Sequence, residues 1–175
     1  MILNSENAEV NIFLRPLKDT DAHALAQLAN NKKIWDNVRD LLPHPYTLKD
    51  AEFFVGLTQK EEIPQTFAIF HNDEFCGMTG LHIQNDVYRL SAELGYWIGE
   101  PYWGRGIASH AVKIITNYGF EKLGMERIYA GIFEFNVGSM RVLEKNGFQK
   151  EGVFRKAVLK NGKMWDEHRY GKVKG

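Results

Sequence analysis

The chain has a single cysteine, Cys76, so it cannot close an internal disulfide, and it suits a reducing compartment. It has no net charge, with 22 basic and 22 acidic side chains. That balance argues against a surface built to coat a polyanion, and no nucleic-acid partner is expected. No stretch approaches the roughly 18 consecutive apolar residues that a bilayer span requires, so no membrane partner is expected either. The first residues, MILNSENAEVNIFLRP, have no cationic start followed by an apolar run, so no secretory leader is read there. The six histidines do not fall at metal-ligand spacing, and no metal is expected. No repeat and no low-complexity tract breaks the chain. The expectation is one cytoplasmic domain over residues 1–175.

What is present alternates between two periods. Asn11 to Leu17 reads as a strand ended by Pro16. The next segment is a helix with Ala22, Leu25, Ala26 and Ala29 on its apolar side, capped by Asp19 or Thr20. Residues 34–47 contain Trp35, Pro43, Pro45 and Tyr46 and predict an irregular aromatic connection. Thr47 then caps a second helix. Thr66 to Phe70 and Glu74 to Ile83 flank Asn72-Asp73, a hairpin signature. Arg89 to Gly99 alternates as a strand. Apolar positions from Ala108 to Leu123 follow helical spacing. Arg127 to Phe133 is a further strand, and the short helix after it stops at Gly147. Asn161-Gly162 marks a final hairpin turn. The order β-α-α-β-β-β-α-β-α-β-β predicts an α/β (α+β) fold with a mixed sheet and helices on both faces.

The stretch PYWGRGIASHAV, from Pro101 to Val112, joins a strand to a helix. The first amides of a helix lack intrahelical partners, and with the helix dipole they attract an anion. Gly104 and Gly106 let a ligand approach that backbone, and Arg105 adds charge. A phosphate or pyrophosphate suits the turn; a plain strand–helix connection is the alternative. A P-loop would need Gly-Lys-Ser/Thr, which is absent. A dinucleotide fingerprint would need a third glycine at 109, where Ser109 stands. A second cluster places Asn136 three residues before Ser139 at a helix start, where Asn136 can also serve as a plain cap.

The two clusters together resemble the GNAT superfamily of acyl-CoA-dependent N-acetyltransferases. Its central Gln/Arg-x-x-Gly-x-Gly/Ala loop maps onto Trp103, Gly106 and Ala108, with Trp103 departing from the usual Gln or Arg. The aromatic residues before Gly-Arg-Gly, the strand ELGYWI, Asn136-x-x-Ser139 and EKNGF resemble the ribosomal-protein N-terminal acetyltransferase branch. The resemblance implies a GNAT fold in which the family's strands 4 and 5, here Ser91 to Ile98 and Arg127 to Phe133, splay into a V around the pantetheine arm. Gly95 fits a local bulge there. It implies acetyl-CoA as cosubstrate. The binding residues it implies are Leu94, Tyr96, Trp97 and Ile98 on the strand, then Trp103, Gly104, Arg105, Gly106, Ile107, Ala108 and Ser109, with Asn136, Ser139 and Arg141 from the second cluster. The implied partner is an amine-bearing acceptor, and the implied assembly is either a monomer or a homodimer.

The implied reaction is attack of a neutral amine on a thioester. An N-terminal α-amine, with a reference pKa of about 7.7–8.0, is roughly a tenth neutral at pH 7, whereas a lysine amine at about 10.4 is neutral in less than one part in a thousand. An N-terminal acceptor therefore demands little of a base. Glu93, mid-strand and opposite Ala92 and Leu94, is the first candidate, directly or through a water; a merely structural carboxylate is the alternative. His82 is the second candidate. A main-chain N–H near Leu94 to Tyr96 is expected to meet the oxyanion. Many relatives protonate the thiolate with a tyrosine four residues before the helix-ending glycine, but here that position is Leu143. Ser139 is expected near the sulfur, and the thiolate can also leave without a dedicated acid. Trp35, Pro43, His44 and Tyr46 form either the acceptor wall or packed core. Cys76 is expected to be inert. Lys160, Lys163 and Arg169 are expected to solvate the closing hairpin. The alternative function is a non-catalytic acyl-CoA-binding sensor or regulatory module; a nucleotide-binding regulator is a third.

Overall fold

A computed structural model describes residues 1–5 and 11–175. Its backbone contacts form two compact units: Met1–Gly80 with Tyr96–Ile115, and Leu81–Gly95 with Thr116–Gly175.

The first unit holds β1 (Leu3–Asn4), β2 (Ile12–Arg15), α1 (Ala22–Ala29), α2 (Lys32–Trp35), α3 (Leu48–Thr58) and β3 (Thr66–His71). It also holds most of β4 (Glu74–Ile83), the end of β5 (Ser91–Ile98) and the start of α4 (Ile107–Glu121). β1 to β4 pair as antiparallel neighbours in chain order. Asn72 and Asp73 both lie at positive φ, 50° and 64°, as the expected two-residue turn requires. Leu17, Leu25, Ala51, Val55, Ala68 and Phe70 belong to the buried core of this unit. Thr47 caps α3 as expected: its hydroxyl accepts the Asp50 N–H, and the Asp50 carboxylate accepts the Thr47 N–H at 2.8 Å.

Neither Asp19 nor Thr20 caps the preceding helix. A 3-10 turn over Asp19–Asp21 comes first, and the buried Asp21 carboxylate reaches back to the Lys18 N–H at 2.8 Å. Arg15 holds that carboxylate at 2.7 and 2.8 Å, which draws it inward. The connection around 34–47 is irregular as its composition predicts, apart from Ile34 and Trp35, which close the single-turn α2. Asn31 caps the single-turn α2 by accepting the Lys33 N–H at 2.9 Å.

The second unit holds the start of β5, the end of α4, β6 (Arg127–Phe133), α5 (Val137–Lys145), β7 (Gln149–Lys160) and β8 (Lys163–Val173). β5 runs parallel to β6, β6 antiparallel to β8, and β8 antiparallel to β7, so the sheet is mixed and the fold α/β as expected. The β5–β6 ladder holds three pairs, Ser91↔Arg127, Ala92↔Ile128 and Glu93↔Tyr129, and ends there. Both strands continue beyond it, β5 to Ile98 and β6 to Phe133. The ladder stops two residues before Gly95. On the core face, Ala92, Leu94, Ile128 and Ala130 are buried. Gly119 of α4 lies so close to that face that a Cβ there would meet Ile128 and Leu81 at 2.7 Å.

Asn161 and Gly162 turn β7 into β8 at φ 53° and 71°. Of the basic residues expected to solvate this hairpin, Lys163 is exposed, Arg169 is half-buried and Lys160 is buried. Lys160 is 2% exposed, and its carbonyl accepts the Trp165 indole N–H at 3.2 Å. Lys163 rests 3.8 Å from the centroid of the Trp165 ring. Arg169 is paired with Glu167 at 2.6 Å. The Trp165 ring and the Glu167 carboxylate, on the same strand β8, hold Lys163 and Arg169. Among the described residues, no helix is long and apolar enough to cross a membrane.

Candidate active site

In the first unit, the glycine turn has the geometry of an anion cradle. Gly104 and Gly106 both lie in the left-handed region, at φ 74° and 76°, which a residue with a Cβ adopts only at a cost. The space before them is open. A Cβ at 104 would meet nothing within 4 Å, and one at 106 only His110 Nδ1 at 4.0 Å. Among the described residues, no protein group accepts from the amides of residues 104–108. The first main-chain bond of α4 begins later, with the His110 N–H donating to the Gly106 carbonyl at 3.3 Å. Five neighbouring donors at a helix start suit a diphosphate. Arg105 is exposed, with its guanidinium 5.6 Å from the Tyr102 ring centroid. Ile107 is buried, so its side chain anchors the helix while its amide serves the turn. Ala108 and Ser109 are half-buried on the first turn of the helix.

The turn is tied down at both ends. The Trp103 indole N–H donates to the Ile98 carbonyl at 2.6 Å. Glu100 accepts from Asn31 Nδ2 at 2.7 Å and from the Lys33 ammonium. These hydrogen bonds hold the Glu100 carboxyl below the usual carboxylate range, Lys33 contributing most and Asn31 next. Of the strand residues, Tyr96 and Trp97 are half-buried and Ile98 is buried.

The aromatic connection contributes differently from residue to residue. Trp35 and His44 stack, with ring centroids 5.6 Å apart, and His44 is exposed. Pro43 is exposed. Tyr46 is 6% exposed and belongs to the core cluster, and burial pushes its phenol up to about 12. Cys76 is fully buried, and burial pushes its thiol up to about 11.

In the second unit, Glu93 and His82 come together. The Gln84 N–H donates to the Ser91 carbonyl at 2.9 Å, which sets the register of β4 on β5. Two residues along, His82 lies directly across from Glu93. Both occupy the face opposite the buried Ala92 and Leu94; Glu93 is half-buried and His82 exposed. Tyr129, across from Glu93 on β6, shares that face. No sequence signal pointed to Tyr129, because its position depends on the parallel register.

Asn136 does cap α5: its Oδ1 accepts the Ser139 N–H at 3.2 Å. Ser139 is half-buried on the first turn and Arg141 is exposed. Leu143, at the position of the absent tyrosine, is 0% exposed, a core residue. Among the described residues, no group of three or more His, Cys, Asp or Glu side chains is placed to hold a metal.

Residues 11–149 match the family described as the acetyltransferase (GNAT) domain. The chain is 34% identical over 166 residues to the probable N-acetyltransferase YjcK of Bacillus subtilis, covering 90% of each. It is 28% identical over 158 residues to the spermidine N(1)-acetyltransferase of Escherichia coli, covering 87% of this chain and 80% of that one. Among solved structures, RimL, the ribosomal L7/L12 alpha-N-protein acetyltransferase in complex with coenzyme A, superposes with a TM-score of 0.86 at 21% identity. That match covers 99% of this chain and 98% of the other. At that identity the likeness concerns the fold.

Proposed function

This chain belongs to the GNAT acetyltransferase family, and we propose that it transfers the acetyl group of acetyl-CoA to a primary amine by direct attack, the first choice being a protein N-terminal α-amine. The observation that carries the reading is the glycine turn. Its amides at residues 104–108 have no acceptor among the described residues, and Gly104 and Gly106 leave open space before them. That turn fits the coenzyme diphosphate, with Arg105 adding charge at its rim. When bound, acetyl-CoA supplies an activated acyl carbonyl and a thiolate leaving group.

The chain's own residues then have distinct roles. Main-chain groups of Leu94 to Ile98 hold the pantetheine arm, and an N–H between Leu94 and Tyr96 meets the developing oxyanion. Glu93 accepts the proton that the attacking amine releases, directly or through one water. His82, its cross-strand neighbour, is the alternative acceptor of that proton. Asn136 fixes the first turn of α5 and with it Ser139, whose hydroxyl passes the departing sulfur a proton drawn from a water; the thiolate can also leave without that proton. As the new carbon–nitrogen bond forms, the carbon–sulfur bond breaks.

A small polyamine is the second reading, favoured by the similarity to the spermidine acetyltransferase. The deciding experiment incubates the protein with acetyl-CoA and, in parallel, cell extract, spermidine and hexapeptides with a free N-terminus. Mass spectrometry then locates the added 42-dalton acetyl mass. Acetylation of N-terminal amines is the expected result. Product on spermidine alone selects the second reading, and no product with any amine overturns both.

A further inference from the structure

On the second unit, strand pairing assembles one face around a single ring. Glu93↔Tyr129 is the last pair of the β5–β6 ladder, and on β8 Gly171 lies across from Tyr129 and Arg169 across from Gly131. Alternation puts Glu93, Tyr129 and Arg169 on the face opposite the buried Ala92, Ile128 and Ala130. Glu93 and Tyr129 are therefore neighbours, one strand spacing of about 4.8 Å apart, where the two strands begin to part.

The Tyr129 ring is held by two cations. The Arg127 guanidinium lies 5.8 Å from its centroid and that of Arg169 lies 4.9 Å away. Each cation is held in turn. Arg127 donates to both carboxylate oxygens of Glu151, and Arg169 donates to Glu167 Oε1 through two nitrogens at 3.2 and 2.6 Å. Phe154 supports Arg169 at 4.7 Å. The two carboxylates occupy space that only glycine leaves. A Cβ at Gly131 would lie 2.5–2.8 Å from the Glu167 carboxylate, and one at Gly171 would lie 2.3–2.7 Å from that of Glu151. Partly exposed ion pairs add little to stability. What this arrangement fixes is the orientation of one aromatic ring beside Glu93.

We infer that Tyr129 is a positioning residue for the acceptor: its phenol, beside Glu93 in the last pair of the β5–β6 ladder, holds the incoming amine in line with that carboxylate. The inference rests on the reading of Glu93 as the base. The phenol oxygen accepts one amine N–H while another proton goes to Glu93. The phenol keeps its own proton, so the transfer is otherwise unchanged. Aromatic support and a short polar contact, rather than a charge, suit an amine that must be neutral to attack.

The test measures steady-state kinetics with spermidine and with a free-N-terminus hexapeptide. Tyr129→Phe keeps the ring and its clamps but removes the oxygen. It should raise KM for the acceptor roughly two- to tenfold, the range of one neutral hydrogen bond, and leave KM for acetyl-CoA unchanged. Gly131→Ala, which displaces the Glu167 carboxylate and loosens Arg169, should raise acceptor KM in the same direction. Thermal melting of each variant separates a folding effect from a positioning one. An acceptor KM within twofold of wild type for Tyr129→Phe overturns the inference. If Glu93→Gln slows turnover while Tyr129→Phe leaves acceptor KM within twofold of wild type, only the role of Tyr129 fails. If Glu93→Gln does not slow turnover, the reading of Glu93 fails and the inference with it.

Discussion

The indole N–H of Trp103 donates to the main-chain carbonyl of Ile98 at 2.6 Å. That bond ties the start of the glycine turn to the end of β5. At the position where the family motif has Gln or Arg, this chain thus has an indole N–H that anchors the turn. Trp103→Phe keeps the ring but loses the donor and leaves the Ile98 carbonyl without it. A neutral hydrogen bond contributes about 0.5–1.5 kcal/mol, so Kd for acetyl-CoA should rise roughly two- to tenfold. Trp103→Gln, which restores a donor, should recover part of the loss. Isothermal titration calorimetry with acetyl-CoA measures both, and wild-type affinity for Trp103→Phe would show that the bond does not shape the turn.

Gly106→Val should abolish coenzyme binding. At φ 76° a β-branched residue is strained by about 1–3 kcal/mol, and its methyl groups would fill the open space before the amides. The two effects together predict a loss of at least about a hundredfold in affinity, at 1.4 kcal/mol per tenfold. Gly106→Ala should fall between Val and wild type. Calorimetry reads the affinity, and circular dichroism checks that the fold persists.

Residues with local signals were legible in the sequence. Thr47, Asn136 and Asn161-Gly162 act within three or four positions of themselves, and each does what its type predicts. The glycine turn was legible for the same reason. Asp21 was missed because the partner that draws it inward, Arg15, sits on the preceding strand. Lys160 was misread because hairpin composition says nothing of which side chains the paired strand covers. Tyr129 and the placement of His82 across from Glu93 depend on strand register, a relation between distant segments that no single window of sequence contains. The family motif pointed to the proposed coenzyme side, which is mostly backbone. The proposed acceptor side depends on side chains gathered by topology, and there the sequence reading was thinnest.

The Glu100 tie to Asn31 and Lys33 should respond to acid in a definite direction. Its carboxyl is held below the usual range, first by the Lys33 hydrogen bond and then by Asn31. A depressed carboxyl contributes stability that is fully present above the unfolded value near 4.3 and is lost as pH falls through the folded value. The tie between α2 and the glycine turn should therefore hold at neutral pH and weaken only below about pH 4.3. Lys33→Ala should move the Glu100 titration back up towards the ordinary carboxylate range. Carbon-detected NMR titration of the Glu100 carboxyl tests this directly. An unchanged titration in Lys33→Ala would remove Lys33 as the main cause.

Glu93→Gln should separate chemistry from binding. The amide is close in size to the carboxylate, so the strand and the face it shares with His82 and Tyr129 should keep their shape. What disappears is the proton acceptor. Positioned general bases contribute about 10²- to 10⁴-fold, so kcat should fall by at least a hundredfold with a lysine-like amine of high pKa. The fall should be smaller with an N-terminal α-amine, since roughly a tenth of it is already neutral at pH 7. KM for acetyl-CoA should not change, because the proposed seat of the diphosphate is the amides of residues 104–108 and not Glu93. Raising the pH should narrow the gap between variant and wild type as solvent deprotonates the acceptor. His82→Gln should cost less than Glu93→Gln; the opposite order would transfer the base role to His82. A Glu93→Gln rate equal to wild type at every pH, measured by release of free thiol, would exclude the carboxylate from proton transfer and leave direct attack by the small neutral fraction of the amine.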